Sequence, residues 1–157
     1  MPNSKIRKFS LAVMLTAGVT GLQVASASAQ ASSPNEIEGV WETEEGNFKF
    51  EVFDAGGTFA ARVIYGDRLM EADRKTFKKD IHNPDPKLRG RSLEGITFLT
   101  DLKWDPQDRR WEEGKFYDGS SGRTYSGQAE IQDGALELRG YAGIPLLGRT
   151  MVLYRSQ

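Results

Sequence analysis

The chain has 157 residues, with 21 Lys and Arg against 22 Asp and Glu, one His, no Cys and a formal charge of -1. The near balance argues against a nucleic-acid partner, the missing cysteine excludes disulfides and a lipid anchor on an N-terminal cysteine, and one imidazole cannot build a His-based zinc site. One domain is expected.

The first 31 residues read as an export signal. Lys5, Arg7 and Lys8 form a basic head, Leu11 to Val24 is an uncharged apolar stretch, and Ala25 to Ala31 offers overlapping small-x-small cleavage sites. The apolar run is too short for a membrane span, which needs about twenty such residues, and Thr16, Gly18, Thr20 and Gly21 interrupt it. Cleavage after Ala29 or Ala31 leaves 128 or 126 of the 157 residues and moves the formal charge from -1 to -4, because three bases and no acid depart. The mature protein is expected in the periplasm, or outside the cell, with no transmembrane segment. Its oligomeric state stays open.

Residues 32–37, small and polar around Pro34, are expected to be a disordered, frayed lead-in to a domain spanning 38–156. Short runs then follow at Gly39–Thr43, Asn47–Phe53 and Thr58–Tyr65, separated by Glu45-Gly46 and Ala55-Gly56-Gly57. Phe48, Phe50 and Val52 share one face, as do Phe59, Ala61 and Val63, which is strand periodicity. After a long connection the scheme resumes at Ile96–Trp104, Arg110–Tyr117, Thr124–Ile131, Ala135–Arg139 and Thr150–Arg155. Breaks rich in Gly, Asp and Pro separate them, and Asp133-Gly134 is the strongest hairpin signal. About eight strands at intervals of roughly eight to twelve residues predict an all-β antiparallel sandwich or barrel.

The connection from Gly66 to Arg91 breaks this rhythm. Leu69, Met70, Phe77 and Ile81 fall at near-helical spacing, so one or two turns are expected within Asp67–Lys79, packed on the sheet as a flap or rim. Arg74, Lys75, Lys78 and Lys79 alternate with acids and read as a solvated face. In Asn83-Pro84-Asp85-Pro86-Lys87-Leu88-Arg89-Gly90-Arg91 the prolines enforce extended geometry, Asp85 can cap a turn opened by Pro86, and Gly90 can end it left-handed. Arg89 and Arg91 either hold an anionic or polar head group or pair with Asp80, Asp85 or Asp101 and pin the loop; pinning is favoured.

No catalytic constellation emerges. Asp80, His82 and Asp85 are the only loose metal candidate, and a solvated loop histidine is the commoner meaning, so no metal and no cofactor are expected. The chain lacks a Gly-x-Ser-x-Gly elbow, and Gly119-Ser120-Ser121-Gly122 suits a turn. Glu112, Glu113 and Asp118 invite comparison with paired glycosidase carboxylates, but adjacent strand residues point to opposite faces. Trp104, Trp111, Phe116, Tyr117, Tyr125 and Tyr141 serve packing or a pocket wall. Gly39-Val40-Trp41 opens the first strand, where Arg149 or Arg155 from the last strand can cover the indole as a barrel plug.

The order Asn83-Pro84-Asp85-Pro86-x-Leu88-Arg89-x-Arg91, Leu93-Glu94-Gly95, Trp111 to Asp118 with Gly114, Gly122-Arg123-Thr124-Tyr125, Arg139-Gly140-Tyr141 and Gly148-Arg149-Thr150 resembles the bacterial domain-of-unknown-function family 2147. The likeness runs from about Gly39 to Arg155. It implies an exported, lipocalin-like barrel with no established enzymatic activity. The chain departs from that pattern in having no cysteine near the third strand, so no disulfide carries over, and in Leu153, where an aromatic residue is common.

Together these readings predict a single up-and-down, lipocalin-like barrel that binds a small apolar or amphipathic ligand without transforming it. Phe59, Val63, Phe98, Trp104, Tyr125 and Leu138 are the expected wall, and Asn83, Arg89, Arg91 and Arg139 the expected polar contacts. The alternative is a periplasmic interaction module, an inhibitor or scaffold, whose barrel is packed solid.

Overall fold

The computed structural model describes residues 29–156, so the basic head and apolar stretch of the expected export signal lie outside the described residues. Eight antiparallel strands close into one up-and-down barrel in the order β1 to β8. They are β1 (Gly39–Glu42), β2 (Phe48–Asp54), β3 (Phe59–Gly66), β4 (Thr97–Asp105), β5 (Arg110–Asp118), β6 (Arg123–Gln132), β7 (Ala135–Tyr141) and β8 (Arg149–Arg155). Alternation drives the closure: Phe50, Val52, Ala61, Val63, Leu136, Leu138 and Leu153 all turn inward and are buried. At Asp133-Gly134 both residues take positive φ, 52° and 82°, as the tight hairpin requires. Strands β7 and β8 reach further than expected, because Gly140 pairs with Arg149 instead of starting the break.

Of the register shifts in the barrel, two change which side chains face inward. In β4 the pairing with β3 shifts between Ala61↔Leu99 and Arg62↔Thr97, which brings consecutive Phe98 and Leu99 both inside. Asp101 and Glu113 lie at φ 62°, and Trp111 and Gly114 are both buried with two carboxylates between them. Glu112 and Glu113 therefore both emerge on the outer surface, contrary to the opposite faces that alternation predicts.

The lower end is sealed. Residues 32–37 are not frayed: Pro34–Ile37 form a 3-10 turn, Ile37 is fully buried, and Ala31 joins the core. Their physical anchor is the floor of the barrel, where the Trp41 indole donates to Ile37 O at 2.8 Å and the Trp111 indole to Pro34 O at 3.1 Å. The Arg155 guanidinium lies 4.4 Å from the centre of the Trp41 ring, and a Cβ on Gly39 would come within 2.8 Å of Arg155 Nη1. The glycine of Gly-x-Trp is thus the space the arginine fills. Above this floor the Gly114↔Gly127 pair admits Leu102 and Leu99, whose methyl groups would lie 2.8 Å from a Cβ on Gly114 and 3.3 Å from one on Gly127. The lower half is solid.

The connection after β3 opens with a 3-10 turn at Asp67–Leu69, followed by irregular chain held by isolated bridges Met70↔Phe77 and Lys79↔Ser92. This supplies one of the one or two turns expected within Asp67–Lys79, and the chain does not continue as helix for a local reason. Asp73 accepts hydrogen bonds from the Lys75 and Thr76 N–H groups, and that tight turn competes with helical bonding. A second turn, Pro86–Leu88, forms where the prolines place it, with Asp85 accepting from Lys87 N at 2.9 Å. Gly90 is not left-handed; the Arg91 N–H closes a turn on Leu88 O.

Candidate functional site

With the floor packed, the open space lies in the upper half, a cup of about 1150 Å³ open at the mouth. Val63, Phe98, Phe116, Tyr125, Leu138 and Met151 form its wall, each from the inward face of a strand. A ladder of edge-on rings continues downward, with Phe98 at 5.3 Å from Phe116, 5.4 Å from Phe48 and 5.2 Å from Phe50. Interlocked rings hold the wall in one shape, so an apolar guest meets a preformed surface.

Charges collect at the rim. Glu44, Glu45, Arg68, Asp118 and Arg149 border the opening, and Glu44, Glu45 and Arg149 make no ion pair among the described residues. Burial raises the Asp118 carboxyl, but the Ser120 and Ser121 hydroxyls, both at 2.6 Å, outweigh it and hold its pKa below the ordinary carboxylate value. The opening also runs down one side. Strand β1 meets β8 only at Trp41↔Arg155 and Glu42↔Tyr154, so the stretch of β8 from Arg149 to Leu153 pairs on its β7 side alone. Thr43 and Val152 are both part of the cup's border.

A polar cluster pins the flap beside the cup. Asp80 is fully buried; its Oδ2 accepts from Asn83 Nδ2 at 2.8 Å and from Arg91 Nε and Nη2 at 2.9 and 2.8 Å, and its Oδ1 accepts from the Tyr117 hydroxyl at 2.5 Å. Burial, then the hydrogen bond to Asp80, pushes the Tyr117 phenol up to about 12. Arg89 donates to Asn83 O at 2.8 Å. Gly122 completes the dock: at φ 72° a Cβ there would sit 1.8 Å from His82 O. The flap rests directly on the β5–β6 turn.

These positions sort the expected site residues. Val63, Phe98, Tyr125 and Leu138 line the cup. Phe59 and Trp104 do not: Phe59 pairs with Leu102, and Trp104 lies 4.7 Å from Trp111, both in the packed lower half. Asn83, Arg89 and Arg91 are spent on the flap cluster, because a buried carboxylate captures the nearest donors before any ligand can. Arg139 faces outward, donating to Thr150 Oγ1 at 2.7 Å and Leu146 O at 3.1 Å. Arg149 is at the mouth, at the opposite end of β8 from the Trp41 plug that Arg155 forms. Phe116, named only as packing or pocket wall, lines the cup, and Phe48, Leu69, Met151 and the rim group Arg68 were missed; the inward phase of Phe48 was readable, whereas the placement of Leu69 and Arg68 depends on how the flap folds back.

Outside the cup, Asp105, Asp108 and Glu112 converge, and Arg110 bridges two of them, Asp108 at 3.0 Å and Glu112 at 2.5 Å, offsetting part of their charge. Glu113 is paired with Lys103, and Lys115 reaches Asp101. Among the described residues no helix is long and apolar enough to cross a membrane.

Comparison with known families matches residues 39–155 to the model described as "Uncharacterized protein conserved in bacteria (DUF2147)". The chain belongs to this family. A solved structure, described as protein HP1028 from the human pathogen Helicobacter pylori, belonging to the lipocalin family, is 31% identical and superposes with a TM-score of 0.65. The match covers 77% of this chain and 83% of that one. No curated protein matches the chain. Family membership and the solved neighbour agree with the eight-stranded barrel, and the matched span begins at the Gly39 that admits the Arg155 plug and ends at Arg155 itself.

Proposed function

We propose that the protein is exported to the periplasm and there binds a small apolar or amphipathic molecule in the upper half of its barrel, without chemical change. The supporting observation is the aromatic-walled cup of about 1150 Å³ above a solid floor. An eight-stranded barrel is wide enough for one such guest, and its apolar part gains roughly 0.8 kcal/mol per methylene removed from water. Charged groups at the rim keep a polar end in solvent. The lipocalin description of the Helicobacter pylori neighbour fits the same use.

A second reading, a protein-interaction module, draws on the turn between β7 and β8. Ile144, Leu146 and Leu147 are 55%, 81% and 75% exposed there, and Val152 and Tyr154 extend the apolar surface along β8.

Native mass spectrometry of protein recovered from the periplasm tests the first reading, together with titration of a fluorescent apolar probe. A co-purified small molecule, or saturable probe uptake displaced by fatty acids, is the expected result. A bare mass with no uptake of fatty acids, isoprenoids or probe would defeat the carrier and leave the exposed turn as the working surface.

A further inference from the structure

The small-x-small run at the end of the export signal permits cleavage after Ala29 and after Ala31 alike, because Ala27 and Ala29, and then Ala29 and Ala31, satisfy the same rule. The folded barrel treats the two bonds very differently. Gln30 pairs antiparallel with Gln132 at the lower end of β6, and Ala31 is fully buried in the core. Arg109, held at φ 54° in the turn between β4 and β5, sends its guanidinium beneath the floor. There its Nε donates to Ala31 O at 2.8 Å and its Nη2 to Gln30 O at 3.2 Å. Pro34 O, four residues beyond Gln30, receives the Trp111 indole.

We propose that cleavage falls between Ala29 and Gln30, and that Gln30-Ala31 stays with the mature chain as the stopper of the barrel's lower end. The proposal rests on the export reading above. In the step itself a membrane signal peptidase adds water across the Ala29–Gln30 amide. The Ala29 carbonyl carbon takes the hydroxyl and leaves as a carboxylate, and the Gln30 nitrogen departs as an amine that takes up a proton.

A cut two residues later would take the Ala31 methyl out of the core and remove both carbonyl acceptors of Arg109 at once. Among the described residues, the cut before Gln30 removes the reciprocal pair between Ala29 and Asp133, in which Ala29 N donates to Asp133 Oδ1 and Asp133 N to Ala29 O, each at 2.9 Å. It also creates an ammonium on Gln30 next to the strand end that carries the Asp133 carboxylate, so a charge attraction succeeds the lost hydrogen bonds.

The test uses the full precursor, exported and recovered, with N-terminal sequencing and intact mass. A chain beginning at Gln30, with or without loss of ammonia from that glutamine, is expected. A start at Ser32 or Ser28 would overturn the assignment while leaving export intact; an unprocessed chain starting at Met1 would remove the export reading as well. The stopper role has its own readout in Arg109→Ala of the recovered protein, which should melt several degrees lower. An unchanged melting temperature would show that the guanidinium holds nothing, and the stopper would be refuted whatever the N-terminus.

Discussion

Asp80 carries no exposed surface, yet four donor contacts from Asn83, Arg91 and Tyr117 converge on its two oxygens. Among the described residues Oδ1 depends on Tyr117 alone for its donor, so Tyr117→Phe strands one buried carboxylate oxygen. The expected loss is about 1–3 kcal/mol in chemical denaturation at neutral pH. The same contact makes stability depend on pH. The Tyr117 phenol rises from its usual 10.0 to about 12 in the fold, so the folded state favours the neutral hydroxyl. Its contribution is complete below about pH 10 and is lost as pH climbs through about 12. The stability gap between wild type and Tyr117→Phe should therefore narrow across that interval. A gap that stayed constant up to pH 12 would mean that the hydroxyl is not coupled to Asp80.

At the scale of elements, the flap and the strands follow different rules. Arg91 compensates a buried charge, whereas Arg89 donates one hydrogen bond to a main-chain oxygen and is exposed. Arg91→Ala should cost about 3–5 kcal/mol and Arg89→Ala about 1 kcal/mol, with apolar-probe affinity at the temperature of the intact fold unchanged in both. Loss of affinity without loss of stability in either variant would return these arginines to the ligand. The strands were legible because period-two alternation and Gly or Asp turns are local signals, readable a few residues at a time. The bulges at Phe98–Leu99 and Glu112–Glu113 were not, since one extra residue shifts the phase without any change of composition. The flap cluster was hidden for another reason: its deciding partner, Tyr117, stands 37 residues from Asp80 and 34 from Asn83. No local pattern announces such a pair. The lead-in misled because its polar composition is that of a frayed end, while its hold on the floor comes from Ile37, Ala31 and main-chain oxygens that any sequence possesses.

Over the whole molecule, the barrel is two machines in one wall. Below, Trp41, Leu102, Trp111 and Leu153 fill the section completely, and the plug of Arg155 and the Pro34–Ile37 turn closes it. Above, the same strands diverge around the cup, because the closing pair of β1 with β8 stops after Glu42↔Tyr154 and β8 continues unpartnered on that side. Stability and binding should therefore respond to different substitutions. Leu102→Ala opens a cavity in the solid half and is expected to cost about 2–5 kcal/mol, while the fold that remains takes up an apolar probe with undiminished affinity. Leu138→Trp, on the wall of the cup, should do the reverse: its larger ring projects into existing space, so the melting temperature moves by no more than a few degrees while probe uptake falls at least tenfold. Both are read from one thermal melt and one fluorescence titration per variant. If Leu138→Trp left uptake intact, or if Leu102→Ala abolished it in the folded protein, guest and core would share one space and the division at mid-barrel would be wrong.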